Sequence, residues 1–414
     1  MENPINSASQ NPISKPSAPF SPEILLVIGL FFFNIFLLPA GLLYTTLLSP
    51  LFVVLLLKQH VWRPFLVYLL LSIVFTYQHF RTGVDTGAYL KSYILFSSAF
   101  VFGLWVYHFL RKEHERLSGY FRQITLYNTF FVLLAIVGLF LPLSSEVLWY
   151  DVPIHPAIPA FPRLRLLVYE PSFYSLLLAP VVLYYFTAFV FSTDNKHLMA
   201  LVLLCFALLL SLSFGVLGGM VMAILVVFLL NAGSLLRRKR IFFASLYLLG
   251  LAALGGFIMW EFFPFNPVVD RVGKIFAGHD SSANGRTWEA FMLAWKILEH
   301  TDIYWGAGWG QIKIVGQPII VEYYNYEGEW RDLVRIPNAS AETLASFGLL
   351  GLSGRLLAEI GLFFYTKVYN NYYRMILFAF IFIYQFTGSY LTNIYEYLIW
   401  VLVFLPIFPQ FNRQ

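Results

Sequence analysis

About twelve apolar runs, separated by charged residues or by Pro and Gly, follow one another along the chain. Each approaches the roughly 20 residues that carry a helix across a bilayer. A helix satisfies its own backbone polar groups, so a succession of such runs has one natural solvent, the lipid interior. The runs fall near 23–39, 41–57, 62–80, 91–110, 120–143, 166–192, 198–213, 215–231, 241–260, 339–365, 375–389 and 394–410. This pattern predicts an all-α polytopic membrane protein. Composition agrees, because 59% of residues are hydrophobic and only 12% are charged, against about a quarter charged in soluble domains. So little polar surface excludes separate soluble domains. Pro39-Ala40-Gly41 and the stretch Ser211-Leu212-Ser213-Phe214-Gly215 divide two long runs into pairs of short helices.

The division of the chain follows from these runs. Residues 1–21 are rich in Pro, Ser and Asn and lack a basic n-region with a cleavage site, which predicts a disordered cytoplasmic tail. Helices one to nine occupy 22–260, a large hydrophilic loop 261–338, and the last three helices 339–414.

Threading about twelve helices in order puts most basic clusters on one side. Arg111-Lys112 with Arg116, Arg237-Arg238-Lys239-Arg240, Lys58 with Arg63, Lys196, and Lys367 with Arg374 mark that side as cytoplasmic, with both termini inside. The net charge of +5 is therefore read as topology. A nucleic-acid surface would need a basic face on a soluble module. The loop 261–338 falls outside and holds 10 of the 22 acidic residues. Its Trp288, Trp295, Trp305, Trp309 and Trp330, with Tyr323, Tyr324 and Tyr326, suit an interfacial belt or the stacking of sugar faces. A single cysteine, Cys205, excludes an intrachain disulfide.

Eight histidines form no HExxH and no Cys/His pair, and no P-loop, GxGxxG or GxSxG elbow occurs. No metal or cofactor is expected. Charge at the outer face carries the chemistry instead. Arg163, Arg165 and Glu170 enter the sixth helix behind a Pro-rich loop. Such groups near lipid are retained in pairs or for function. They read as a cationic clamp beside a carboxylate, or as arginines that snorkel to phosphates while Glu170 pairs with one of them. Arg271, Arg286, Asn338 and Glu342 join them on the same leaflet. The stretch after Arg286, TWEAFMLAWKILEH, predicts an amphipathic helix lying in the interface. It runs into Gly306-Ala307-Gly308-Trp309-Gly310, either a close backbone approach or a plain loop. Arg355 and Glu359, four residues apart, predict a structural pair. Glu396, beside Asn393, is a site candidate or an ordinary helix-end carboxylate.

Four of these features resemble the superfamily of O-antigen polymerases and ligases, integral membrane glycosyltransferases that act on polyprenyl-diphosphate-linked glycans. They are Arg163 ahead of Glu170-Pro171-Ser172, the Ser211-Leu212-Ser213 break, Arg286 heading a helix that leads to the glycine cluster, and Asn338 with Glu342 leading into Ala345-Ser346-Phe347-Gly348-Leu349-Leu350-Gly351. The chain departs from the family pattern where Leu166 replaces a glycine and Pro337 replaces a histidine common in ligases. The resemblance implies a GT-C-like fold in a bacterial inner membrane, with the site facing the periplasm. It implies a polymerase of lipid-linked repeat units, with an O-antigen ligase or a lipid-linked oligosaccharide transporter as alternatives. Its partners would be polyprenyl-diphosphate-linked glycans, membrane lipids, a chain-length regulator and a flippase, and no nucleic acid. Catalytic roles fall on Glu170, Arg163 and Arg286. Substrate contacts fall on Arg165, Arg271, Asn338, Glu342, Glu396 and Trp309.

Overall fold

The computed structural model describes residues 22–35, 37–38, 42–141, 146–151, 162–192, 195–236, 261, 270, 273–274, 277–328 and 334–413. The chain is mostly helical. The first helices are α1 (Pro22–Phe33), α2 (Ser49–Lys58), α3 (Arg63–Thr82), α4 (Thr86–Glu113) and α5 (Leu117–Gly138). A two-residue antiparallel pair, β1 (Trp149–Tyr150) with β2 (Arg163–Leu164), precedes α6 (Pro171–Phe191), α7 (Asn195–Ser211) and α8 (Phe214–Leu230). The remainder comprises α9 (Ser281–Arg286), α10 (Trp288–Glu299), α11 (Gly316–Tyr324), α12 (Ala339–Tyr365), α13 (Tyr372–Tyr384) and α14 (Ile394–Phe404).

The expected helices stand close to where the apolar runs place them, and the local chemistry explains their ends. Proline at the first turn opens α2, α3 and α6, where its missing N–H costs nothing. Asp85, Asp280, Asn338 and Asn371 each accept a backbone N–H of the first turn of their helix. Among the described residues, three helical stretches are long and apolar enough to cross a membrane: Thr86–Gly138, Pro171–Phe191 and Ala339–Tyr365. The first comprises α4 and α5, joined by a 3₁₀ turn at His114–Arg116. That is fewer than the expected twelve. Several apolar runs fold as shorter helices; the 13 residues of α13 rise about 20 Å, short of a ~30 Å hydrocarbon core. The expected tail 1–21, the helix at 241–260 and the cluster Arg237–Arg240 lie outside the described residues.

Buried side chains form one large core and two smaller ones. The large core joins α1, α2, α4–α8, α13 and α14. A second gathers Ala290, Leu293, Ala294 and Ile297 of α10 with Ile320, Ile336 and Leu344. The apolar face of α10 is therefore turned into protein, which corrects the expectation that it lies against lipid. Trp288 and Trp295 remain exposed on its other face. The third core gathers Tyr89, Trp309, Phe347 and Leu391.

One break organises this region. Helix α12 is interrupted at Gly348, whose φ of 65° and ψ of −164° are far from helical. The segment Ile303–Gly308, a turn closed by the Gly306 N–H on the Asp302 carbonyl at 2.8 Å, lies in the break. Ala307 and Gly308 donate to the carbonyls of Ala345 and Ser346, each at 2.9 Å, and Leu349 and Leu350 donate back to Ile303 and Tyr304 at 2.9 and 3.1 Å. A Cβ on Gly348 would fall 2.3 Å from the Tyr304 carbonyl, so only glycine permits the approach. His79 closes the arrangement from α3. Fully buried, it reaches the Trp305 carbonyl with Nε2 at 2.8 Å and the Tyr89 hydroxyl with Nδ1 at 3.1 Å.

Candidate functional site

A cavity of about 380 Å³ opens where the three cores meet. Its lining combines the polar side chains of Lys313, Arg335, Glu342 and Tyr390 with the apolar Ile35, Leu43, Leu95 and Phe173. The polar groups arrive from separate parts of the chain. Lys313 follows the glycine cluster, which Gln311 fixes to the start of α4. The Gln311 side chain accepts the Asp85 N–H at 2.9 Å and donates to the Asp85 and Trp309 carbonyls at 3.0 and 3.1 Å. Arg335 lies in the segment Val334-Arg335-Ile336, whose alternation buries the valine and isoleucine in the second core and leaves the arginine on the cavity lining. Glu342 sits on the first turns of α12, its Oε2 accepting the Leu391 N–H at 2.6 Å.

Tyr390 ties charges together. Its ring centroid is 5.8 Å from the Arg335 guanidinium. Burial raises the pKa of this phenol, and Arg335 works against the rise; Glu170 and Arg286 also reach it electrostatically, with opposite effects. For Arg335, burial disfavours the cation, but Tyr390 and then Glu170 more than compensate, so it is held charged. Glu170, Arg286 and Arg335 thus form a neighbourhood around Tyr390 beside the cavity.

The residues singled out from sequence take distinct positions. Glu342 and Trp309 line the cavity. The Trp309 indole is largely buried, with ring centroids 4.4 Å from those of Phe96 and Phe347. Arg163 donates through Nε to the Ser211 carbonyl at 3.2 Å and through Nη2 to Leu212 at 3.4 Å. It therefore closes the end of α7 at the break, where Leu212 has φ of 48°. Arg165 donates to the carbonyls of Glu146 and Tyr169 at 2.7 and 3.3 Å and faces the Tyr150 ring at 5.8 Å. Glu170 precedes Pro171 at the head of α6 and accepts the Ser172 hydroxyl at 3.1 Å. Arg286 is exposed at the end of α9. Arg271 lies outside the described residues.

Asn338 is fully buried. Its Nδ2 donates to the carbonyls of Arg286 and Phe386 at 2.8 and 2.7 Å, and its Oδ1 accepts the Ala341 N–H at 2.9 Å. One side chain thereby joins three segments that converge beside the cavity. Glu396 is buried and belongs to a network. Arg355 bridges Glu359, at 2.9 Å, and Glu396. Gln385 donates to Glu359 and Ser389 to Glu396, each at 2.7 Å. The expected Arg355–Glu359 pair is thus two arms of a triad whose third arm comes from α14.

Lys313 and Arg335 were not among the residues picked out from sequence. The one signal for Arg335 is a cation alternating with buried aliphatic residues immediately before a helix cap. Among the described residues, no three His, Cys, Asp or Glu side chains gather as metal ligands. No family model and no curated protein matches this chain.

Proposed function

We propose that the protein is a polysaccharide polymerase. It joins polyprenyl-diphosphate-linked oligosaccharide repeat units of an O-antigen, capsule or exopolysaccharide type at the outer face of a bacterial inner membrane. In this reading the chain crosses the membrane about twelve times with a GT-C-like arrangement, counting the shorter apolar helices as spans. The observation that carries it is the lining of the cavity, which combines two cations and one carboxylate with aliphatic and aromatic side chains. A lipid diphosphate sugar has those two halves. Its isoprenoid would lie on Ile35, Leu43 and Leu95, its diphosphate between Lys313 and Arg335, and its sugar against the rings of Trp309, Tyr169 and Tyr390. Guanidinium and ammonium groups neutralise a departing diphosphate, more strongly in a partly dehydrated cavity than in water. The energy of transfer resides in the glycosyl diphosphate linkage, so no nucleotide enters. Glu170 and Arg286, which reach Tyr390 electrostatically, would contact the second glycan.

The test incubates the purified protein in lipid vesicles with a synthetic polyprenyl-diphosphate oligosaccharide and resolves the products by gel and mass spectrometry. A ladder spaced by one repeat is the expected result. Consumption only when a lipid A core acceptor is added would replace the polymerase by a ligase. A transporter is the reading favoured by the break in α12, since broken helices line transport sites; no consumption with either acceptor, together with glycan crossing the vesicle, would favour it.

A further inference from the structure

We infer that Glu342 is the general base of the glycosyl transfer, an assignment that rests on the polymerase reading above. The surroundings of Glu170, Glu342, Glu359 and Glu396 separate these carboxylates. Glu359 and Glu396 are engaged by Arg355, Gln385 and Ser389 inside the helix bundle. Glu170 accepts the Ser172 hydroxyl at the head of α6 and does not line the cavity. Glu342 does line it, together with the two cations. Its Oε2 is oriented by the Leu391 N–H at 2.6 Å, and among the described residues its Oε1 accepts no hydrogen bond. A base needs one oxygen fixed and one open to the incoming hydroxyl.

The placement of Glu342 is built into the fold. It stands on the half of α12 before Gly348, held by the Ile303–Gly308 segment lying in the break. Leu391, which orients it, belongs to the turn between α13 and α14 and packs with Trp309 and Phe347. The carboxylate therefore enters the cavity on rigid backbone from two sides. In the reaction the acceptor hydroxyl gives its proton to Glu342 Oε1 as its oxygen bonds the anomeric carbon. The bond from that carbon to the diphosphate oxygen breaks, and the electron pair leaves with the polyprenyl diphosphate beside Lys313 and Arg335. The proton then passes to water.

Azide separates this role from the others, because an anionic nucleophile has no proton to lose. Wild-type protein supplied with the lipid-linked glycan and sodium azide should yield both the ladder and a glycosyl azide, resolved by mass. Glu342→Gln, which retains an acceptor oxygen for the Leu391 N–H, should lose the ladder by roughly 100-fold or more, the usual range for a missing base. It should still form glycosyl azide within a few-fold of wild type. Glu342→Asp, which keeps a carboxylate one methylene back, should restore part of the ladder. A full ladder from E342Q overturns the assignment. So does loss of both products in a variant with an unchanged melting transition, which would make Glu342 a donor-binding or structural group, and so does an E342D ladder no better than that of E342Q. Wild-type protein that forms neither product overturns the polymerase reading and the assignment with it.

Discussion

Replacing Gly348 by alanine tests the central claim about how α12 is built. The native φ of 65° lies in the left-handed region, which costs a residue with a Cβ about 1–2 kcal/mol. The larger effect is steric. The new methyl would lie 2.3 Å from the Tyr304 carbonyl carbon and oxygen and 2.7 Å from the Ile303 oxygen, all backbone atoms that cannot rotate away. Relief requires the Ile303–Gly308 segment to withdraw. That breaks the bonds from Leu349 and Leu350 to Ile303 and Tyr304 and strains those from Ala307 and Gly308. Losing two of these at about 1 kcal/mol each brings the total to ~3–4 kcal/mol. The assay is the thermal or denaturant unfolding transition of the purified protein in detergent, with Gly361→Ala as control. Gly361 lies in the second half of the same helix with nothing within 4 Å of a Cβ, so alanine there should be neutral or stabilising by about 0.5–1 kcal/mol. Equal transitions for G348A and wild type would refute the broken-helix geometry.

Other perturbations have equally definite outcomes. Arg355→Met leaves Glu359 and Glu396 facing each other inside the bundle and should destabilise by about 3–5 kcal/mol, seen as a lower melting transition; an unchanged transition would show that the triad does not form. Arg163→Gln removes donors from the carbonyls of Ser211 and Leu212 and should cost about 1–3 kcal/mol of stability. If it abolishes donor binding with no change in stability, Arg163 belongs to the diphosphate site instead. The Tyr324 phenol, raised above its ordinary value of 10.0 by burial and then by Glu289, donates to that carboxylate at 2.8 Å. Because the folded pKa is the higher one, this contact contributes fully below pH 10 and is lost as the pH rises beyond it. Stability measured by denaturant unfolding should therefore fall above pH 10 in wild type, and Tyr324→Phe should flatten part of that fall; equal slopes in the two proteins would count against it.

The sequence and the structure agree where the signal is local. The run 166–192 becomes Pro171–Phe191 and 339–365 becomes Ala339–Tyr365, because apolar length, a starting proline and a capping Asn338 are all written within one segment. The break at Gly348 is invisible in the same way of reading. Phe347-Gly348-Leu349 continues an apolar run, and the segment that opens it is some forty residues earlier. The same distance hid the two cations that share the cavity with Glu342. Lys313 and Arg335 stand in a stretch with no helical period, and only the packing of Ile312, Val334 and Ile336 into the second core turns them toward Glu342. Arg163 shows the converse. Its charge near lipid signalled importance, but the partner it finds is a pair of orphan carbonyls at a helix end, a demand that no spacing in the sequence records.

The cavity wall begins at Ile35 and ends at Tyr395, near the two ends of the described chain. During synthesis the pocket is therefore incomplete until the last helix has left the ribosome and packed. A chain halted before Ile394 would lack the wall made by residues 394 and 395, and α14 would not be there to supply Glu396 to Arg355. An unfinished copy therefore lacks part of the pocket wall and cannot hold whatever ligand the finished cavity takes.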